Sequence, residues 1–191
     1  MGVTRSSDAR ERILATAYEL FTRRGIRDVG VDEVVEKASV AKTTLYRHFP
    51  SKDDLVLAFL DEREQQWTLD IVDRKSAERA ADPEGQLLAI FDVFEDWFRQ
   101  RTDYEACSFI KVLLELGAEG PIGKACIVHL DRIRDIVRDR AHRAGLRDPD
   151  EFAASWNILM KGSIVVAAEG DLNAAQSAKT MAQRLIEEHR S

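Results

Sequence analysis

The chain has 191 residues, 45% of them apolar and 32% charged, with a net charge of −6, which is the profile of a globular chain able to bury a core. No apolar run approaches the roughly 20 residues of a membrane span and the opening MGVTRSSDARER lacks an apolar signal core, so a cytoplasmic protein is expected. Cys107 and Cys126 form no CxxC pair and lie at no ligand spacing from a histidine, so neither a metal site nor a disulfide framework is expected, and no cofactor is implied.

With only four prolines and ten glycines, long stretches of period 3.6 and no alternating strand, the chain reads as all-α. Asp8, with Glu11 three residues on, predicts the start of a first helix that carries Ile13, Leu14, Ala17, Leu20 and Phe21 and stops at Gly25. Ile26 and Val29 close its core from the following loop. Val31, Val34 and Val35 then mark a short helix ending near Ala38. A second short helix from about Lys42 to Phe49 buries Leu45 and Phe49 and leaves Lys42, Thr43, Thr44, Tyr46, Arg47 and His48 outside. Two packed short helices, the second rich in cations and hydroxyls, describe a helix-turn-helix whose second member enters a major groove.

Pro50 ends that helix, and Ser51 with Asp54 resembles a capping box for a long helix through Leu55, Phe59, Trp67 and Ile71. Residues 73–82 contain no large apolar side chain and read as its solvated end. Asp82-Pro83 starts the most aromatic stretch, with Phe91, Phe94, Trp97 and Phe98. The segment Tyr104 to Leu116, apolar around much of its circumference, is expected to be a buried helix. A helix from about Pro121 ends at Gly145; another starts at Asp148-Pro149, and a last one follows Gly170-Asp171.

The string SVAKTTLYRHFPSKDDL, preceded by an amphipathic helix ending in Gly25, resembles the DNA-binding domain of the tetracycline-repressor (TetR) family of bacterial regulators. The likeness covers roughly the first third of the chain and is specific because it fixes many positions at once. Ser39 stands where the family usually has a turn glycine, and Gly30 where it usually has a capping Thr or Ser. The resemblance implies about nine helices, with a DNA-binding head over residues 1–52 and a ligand-binding and dimerisation body over 53–191.

Charge agrees with this division. Residues 1–50 carry nine cations and seven anions and residues 51–191 nineteen and twenty-seven, so the net acidity lies outside the head. On the recognition helix Lys42, Thr43, Thr44 and Arg47 are the candidates for base edges, and Tyr46, His48 and Lys52 for phosphates. Phe91, Phe94, Trp97, Phe98, Phe109, Leu113, Trp156 and Met160 offer a mostly apolar ligand wall, with Tyr104, Ser108, Glu115 and Asn157 as polar groups that orient a ligand. An aromatic stripe at helical spacing is also ordinary core, and only the resemblance raises it to a pocket. The resemblance implies that the last two helices, about 148–189, form the homodimer face; their apolar sides also suit completion of the monomer's own core.

The expected partners are therefore double-stranded operator DNA, a second copy of the chain and a small effector, with no membrane. The expected function is a repressor that its effector releases from a palindromic operator. An enzyme is not expected, since His48, His129, His142 and His189 are scattered and no HExxH, nucleophile elbow or P-loop is present. The other reading is a helical interaction protein with a degenerate head, for which Ser39 and Gly30 are the only support.

Overall fold

The computed structural model describes residues 3–99 and 106–190, and among them all regular structure is helical. In chain order the helices are α1 (Val3–Arg24), α2 (Val31–Lys37), α3 (Lys42–His48), α4 (Lys52–Arg63), α5 (Pro83–Arg99), α6 (Ser108–Leu116), α7 (Pro121–Arg143), α8 (Pro149–Ala168) and α9 (Ala174–His189). Between α4 and α5 the chain winds as a π-helix over Glu64–Lys75 and finishes in one turn, Ser76–Glu78. The described residues fall into two compact units, one within Met1–Arg63 and Ser108–Ile127, the other within Glu64–Cys107 and Val128–Ser191. None of their helices is long and apolar enough to cross a membrane.

In the first unit α1, α2, α3 and α4 bury one shared core of Ile13, Ala17, Phe21, Val34, Leu45, Phe49, Leu55 and Phe59, closed by Ile26 and Val29 from the α1–α2 loop. Each of the larger of these side chains, Ala17 apart, contributes about 1.5–3 kcal/mol by leaving water. Phe59 meets Phe21 and Tyr18 edge-on at 5.6 and 5.4 Å. Helix α1 begins five residues before Asp8, contrary to the expected start, because nothing in residues 3–7 breaks a helix. Asp8 pairs instead with Arg12 one turn on at 2.7 Å. Ser51 does cap α4: its Oγ accepts the Asp54 N–H at 3.1 Å and donates to the Asp54 carboxylate at 2.6 Å. At the α6–α7 turn a side chain on Gly123 would sit 1.9 Å from the Gly117 carbonyl oxygen, so backbone packs on backbone there.

In the second unit α9 packs on α8 and α5. The expected solvated end at residues 73–82 holds except at Ser76, which is fully buried and receives the guanidinium of Arg140, itself 1% exposed. Arg140 donates to Ser76 Oγ (2.6 Å), the Gln86 carbonyl (3.0 Å), the Asp73 carbonyl (2.8 Å) and the Asp73 carboxylate (2.7 Å). Burial pulls this guanidinium below its ordinary pKa and Asp73 pulls it back up, and a guanidinium remains charged in either case. Asp82 caps α5 as expected, accepting the Gly85 N–H at 2.8 Å. Helix α8 starts at Asp148-Pro149 as expected, with Asp148 as its N-cap residue at φ 49° making no side-chain cap bond. Helix α6 departs from its expected burial, since Leu114 is 80% exposed.

Candidate nucleic-acid interface

Two residues shape the α2–α3 junction. Ala38 ends α2 in ordinary right-handed geometry, and Ser39 then turns the chain at φ 53°, in the left-handed region that a side chain disfavours. Its N–H bonds the Glu36 carbonyl and that of Val40 bonds Val35, so the turn is fully hydrogen-bonded despite the residue type. Ser39→Gly is expected to raise thermal stability by about 0.5–1 kcal/mol, the relief of backbone strain less the greater freedom of glycine in the unfolded chain. A melting temperature equal to or below that of wild type would show that the Ser39 side chain compensates its own strain. Gly30 precedes α2 in extended conformation with open space around it and no side-chain cap.

On α3, Leu45 is fully buried and Phe49 follows it into the core, which turns Lys42, Thr43, Tyr46 and Arg47 to solvent and leaves Thr44 and His48 half-buried. Lys42 Nζ lies 2.6 Å from Asp32 of α2, and that hydrogen bond, with the carboxylate's charge, raises the ammonium above its ordinary pKa. The pair is exposed, so water and salt screen it and the lysine can be drawn off by a stronger acceptor. Arg47 makes no ion pair with a described residue. It lines an open cleft of about 330 Å³ with Thr44, Ser39, Val40, Asp8, Ala9 and Arg12. Glu33 anchors α2 from behind by holding Arg24 (2.7 Å) and Lys37 (3.4 Å). Partial burial pushes its carboxyl up, but these hydrogen bonds prevail and hold it below the usual carboxylate range.

Of the residues expected on phosphates, Tyr46 is 42% exposed. His48 has its Nε2 buried with no partner among the described residues. Lys52 directs its Nζ to the Ile26 carbonyl at 2.6 Å. An ammonium has three donors, which leaves two for a phosphate.

Residues 13–59 match the family model described as bacterial regulatory proteins, tetR family. Over that stretch, about a quarter of its length, the chain is similar to TetR-family regulators. The transcriptional activator FasR of Mycolicibacterium smegmatis is 43% identical over 53 residues, 28% of this chain and only 24% of FasR. The regulator EthR of Mycobacterium tuberculosis is 25% identical over 182 residues, 92% of this chain and 83% of EthR. The crystal structure of SCO4454, a TetR-family transcriptional regulator from Streptomyces coelicolor, superposes with a TM-score of 0.87 at 26% identity over 97% of each chain. These relatives are transcriptional regulators rather than enzymes, and together with the outward cations and hydroxyls of α3 they support a DNA-binding regulator.

In the second unit, the aromatic residues expected there as a ligand wall form a continuous run. Trp97 lies 4.0 Å from Trp67 and 5.8 Å from Phe94, between ring centroids; Phe94 reaches Phe98 (5.9 Å) and Phe91 (6.2 Å), and Phe91 reaches Trp156 (5.2 Å). Phe152 extends it from Trp156 at 5.3 Å. Met160 is buried in the same unit. Phe109, buried, and Leu113, half-buried, belong to the other unit, and Tyr104 lies outside the described residues. The sequence reading omitted Trp67, Thr68 and Phe152 from the wall. Thr68 Oγ1 and Trp156 Nε1 are buried with no partner among the described residues. Glu115, expected as a ligand-orienting group, instead bonds the backbone of Ile26 and Arg27. Ser108 is buried with its hydroxyl unpartnered among the described residues, and Asn157 is half-buried.

Proposed function

We propose that this regulator is a homodimeric repressor that binds a palindromic operator through its head, residues 1–52, and is released when a small, largely apolar effector enters its body, residues 53–191. The observation that carries the reading is the outward face of α3. Lys42 and Arg47 there are able to donate to guanine N7 and O6, and the methyl groups of Thr43 and Thr44 to meet a thymine methyl, while Leu45 and Phe49 lock the helix from behind. A dimer that sets two such helices about 34–36 Å apart fits successive major grooves.

Dimerisation through α8 and α9 is supported by a shallow groove of about 290 Å³ lined by Ile158, Leu159, Gly162, Val166, Ala178 and Met181. Ile158 is 72% and Met181 55% exposed, an apolar face that a second copy would cover. The effector is supported by the aromatic run and by the two buried polar atoms at Thr68 and Trp156, each of which gains a hydrogen bond only if something brings it a partner. Such an effector dissociates the complex by binding better to the conformation that fits DNA less well.

Fluorescence anisotropy with DNA from the protein's own promoter, over a salt series, tests the division of roles on α3. Lys42→Ala or Arg47→Ala should lose about 1–3 kcal/mol on operator and little on random DNA. Lys52→Ala should weaken both alike and reduce the salt slope by about one. Equal losses on the two DNAs for all three variants would remove the assignment. A reporter driven by the same promoter, rising when the regulator is deleted, is the outcome that repression requires; a fall would assign it activation, the role named for FasR.

A further inference from the structure

Within the first unit the α1–α2 loop is gripped by charged side chains from two helices distant in sequence. Gly25, at φ 87°, ends α1 and turns the next two amides outward together. The Glu115 carboxylate of α6 takes both: Oε2 accepts the Ile26 N–H at 2.9 Å and Oε1 the Arg27 N–H at 2.5 Å. One turn earlier on α6, Lys111 donates to the Thr22 carbonyl, in the last turn of α1, at 2.7 Å. Lys52, at the start of α4, holds the Ile26 carbonyl. Both polar groups of Ile26 are therefore held by side chains, its N–H from α6 and its carbonyl from α4, while its own side chain is 4% exposed.

The charges suit their places. An ammonium sits at the carbonyl end of α1, and a carboxylate sits where successive N–H groups converge into an anion-binding concavity. Glu115 fits so closely that a side chain on Gly25 would meet its Oε2 at 2.9 Å. The loop is only six residues long and leads directly into α2, so displacement at Ile26 is passed to the helix-turn-helix.

We propose that Glu115 is a positioning residue for DNA recognition. It touches no DNA; it fixes the loop at Ile26 and Arg27 and through it the pose in which α2 and α3 meet the groove. The inference rests on the operator-binding reading above. Charge-assisted bonds to backbone N–H groups are the stronger kind, and two from one carboxylate define direction as well as distance.

The test compares wild type, Glu115→Ala and Glu115→Gln as full-length proteins, at a temperature at which melting curves show each folded. Binding to promoter DNA is measured by anisotropy, and the amides of Ile26 and Arg27 are followed by ¹H–¹⁵N spectra. Both amides should lie downfield in wild type and move upfield in Glu115→Ala, with operator affinity falling about tenfold. Glu115→Gln, which keeps one acceptor, should restore part of the loss. If Glu115→Ala does not fold, the glutamine variant decides alone: about a threefold or larger loss with displaced amides supports the role. Operator affinity within about twofold of wild type, or unmoved amides, overturns it. Failure of the wild type to bind the promoter DNA at low salt would overturn the operator reading together with this one, even with the two amides downfield.

Discussion

Arg140→Met is expected to lower the free energy of unfolding by about 3–5 kcal/mol, the usual cost of removing one member of a buried charged network. Methionine fills much of the same volume, so the loss isolates the guanidinium. With it go four hydrogen bonds that tie α7 to the Ser76 hydroxyl, two carbonyls and the Asp73 carboxylate. Ser76 would keep its own bond to the Val72 carbonyl, and Asp73 is exposed enough to rehydrate, which sets the expectation at the lower half of the range. Arg140→Lys should be intermediate, because a single ammonium cannot reach acceptors arranged for a planar fork. Urea denaturation at one fixed protomer concentration measures this, since a dimer's apparent stability depends on concentration. A loss below about 1 kcal/mol for the methionine variant would mean that the turn at Ser76 is held by apolar packing instead.

Ile158→Asp combined with Met181→Glu is expected to leave each chain folded but monomeric, and to weaken operator binding by about two to four orders of magnitude. The size follows from effective concentration: in a dimer the second head binds its half-site as an intramolecular step, and a monomer forfeits that gain without losing any contact of its own head. Both side chains are more than half exposed, so charging them costs the protomer little. Light scattering after size exclusion and anisotropy on the same promoter DNA read the two effects together. A variant that remains dimeric would remove α8 and α9 as the dimer face, and a monomer with unchanged operator affinity would remove the need for two heads.

What was legible in the sequence was local. The spacing of Leu45 and Phe49 placed one face of α3 in the core and so assigned the outward residues. Ser51 with Asp54, and Asp82 before Pro83, are short-range devices whose partners lie three residues away. Ser39 was identifiable as a misfit only through the resemblance, which places a turn glycine there, and the structure gives the position a positive φ. What was not legible depends on pairs far apart in sequence. Arg140 is one arginine among several on a charged helix, and nothing in its neighbours indicates that it, rather than Arg138 or Arg143, points inward. Glu115 lies on an otherwise apolar segment, which made it look like a ligand group; its partners are 88 and 89 residues away. The early start of α1 escaped because its polar first turns carry no periodic signal. Exposure of Leu114 escaped because apolarity around a helix does not reveal which side has a neighbour.

The π-helix over Glu64–Lys75 has a consequence for comparing this chain with others of different length. Closing hydrogen bonds five residues back instead of four packs an additional residue into each turn, and the stretch does so while directing Glu64, Trp67, Thr68 and Val72 inward. Loss of one residue here can be taken up by reversion to α-helical winding, and no loop has to open to absorb it. A one-residue gap against a relative within these twelve positions therefore records a change of pitch in an unbroken rod, and the place to put the gap is chosen by the inward residues rather than by the best local match of letters.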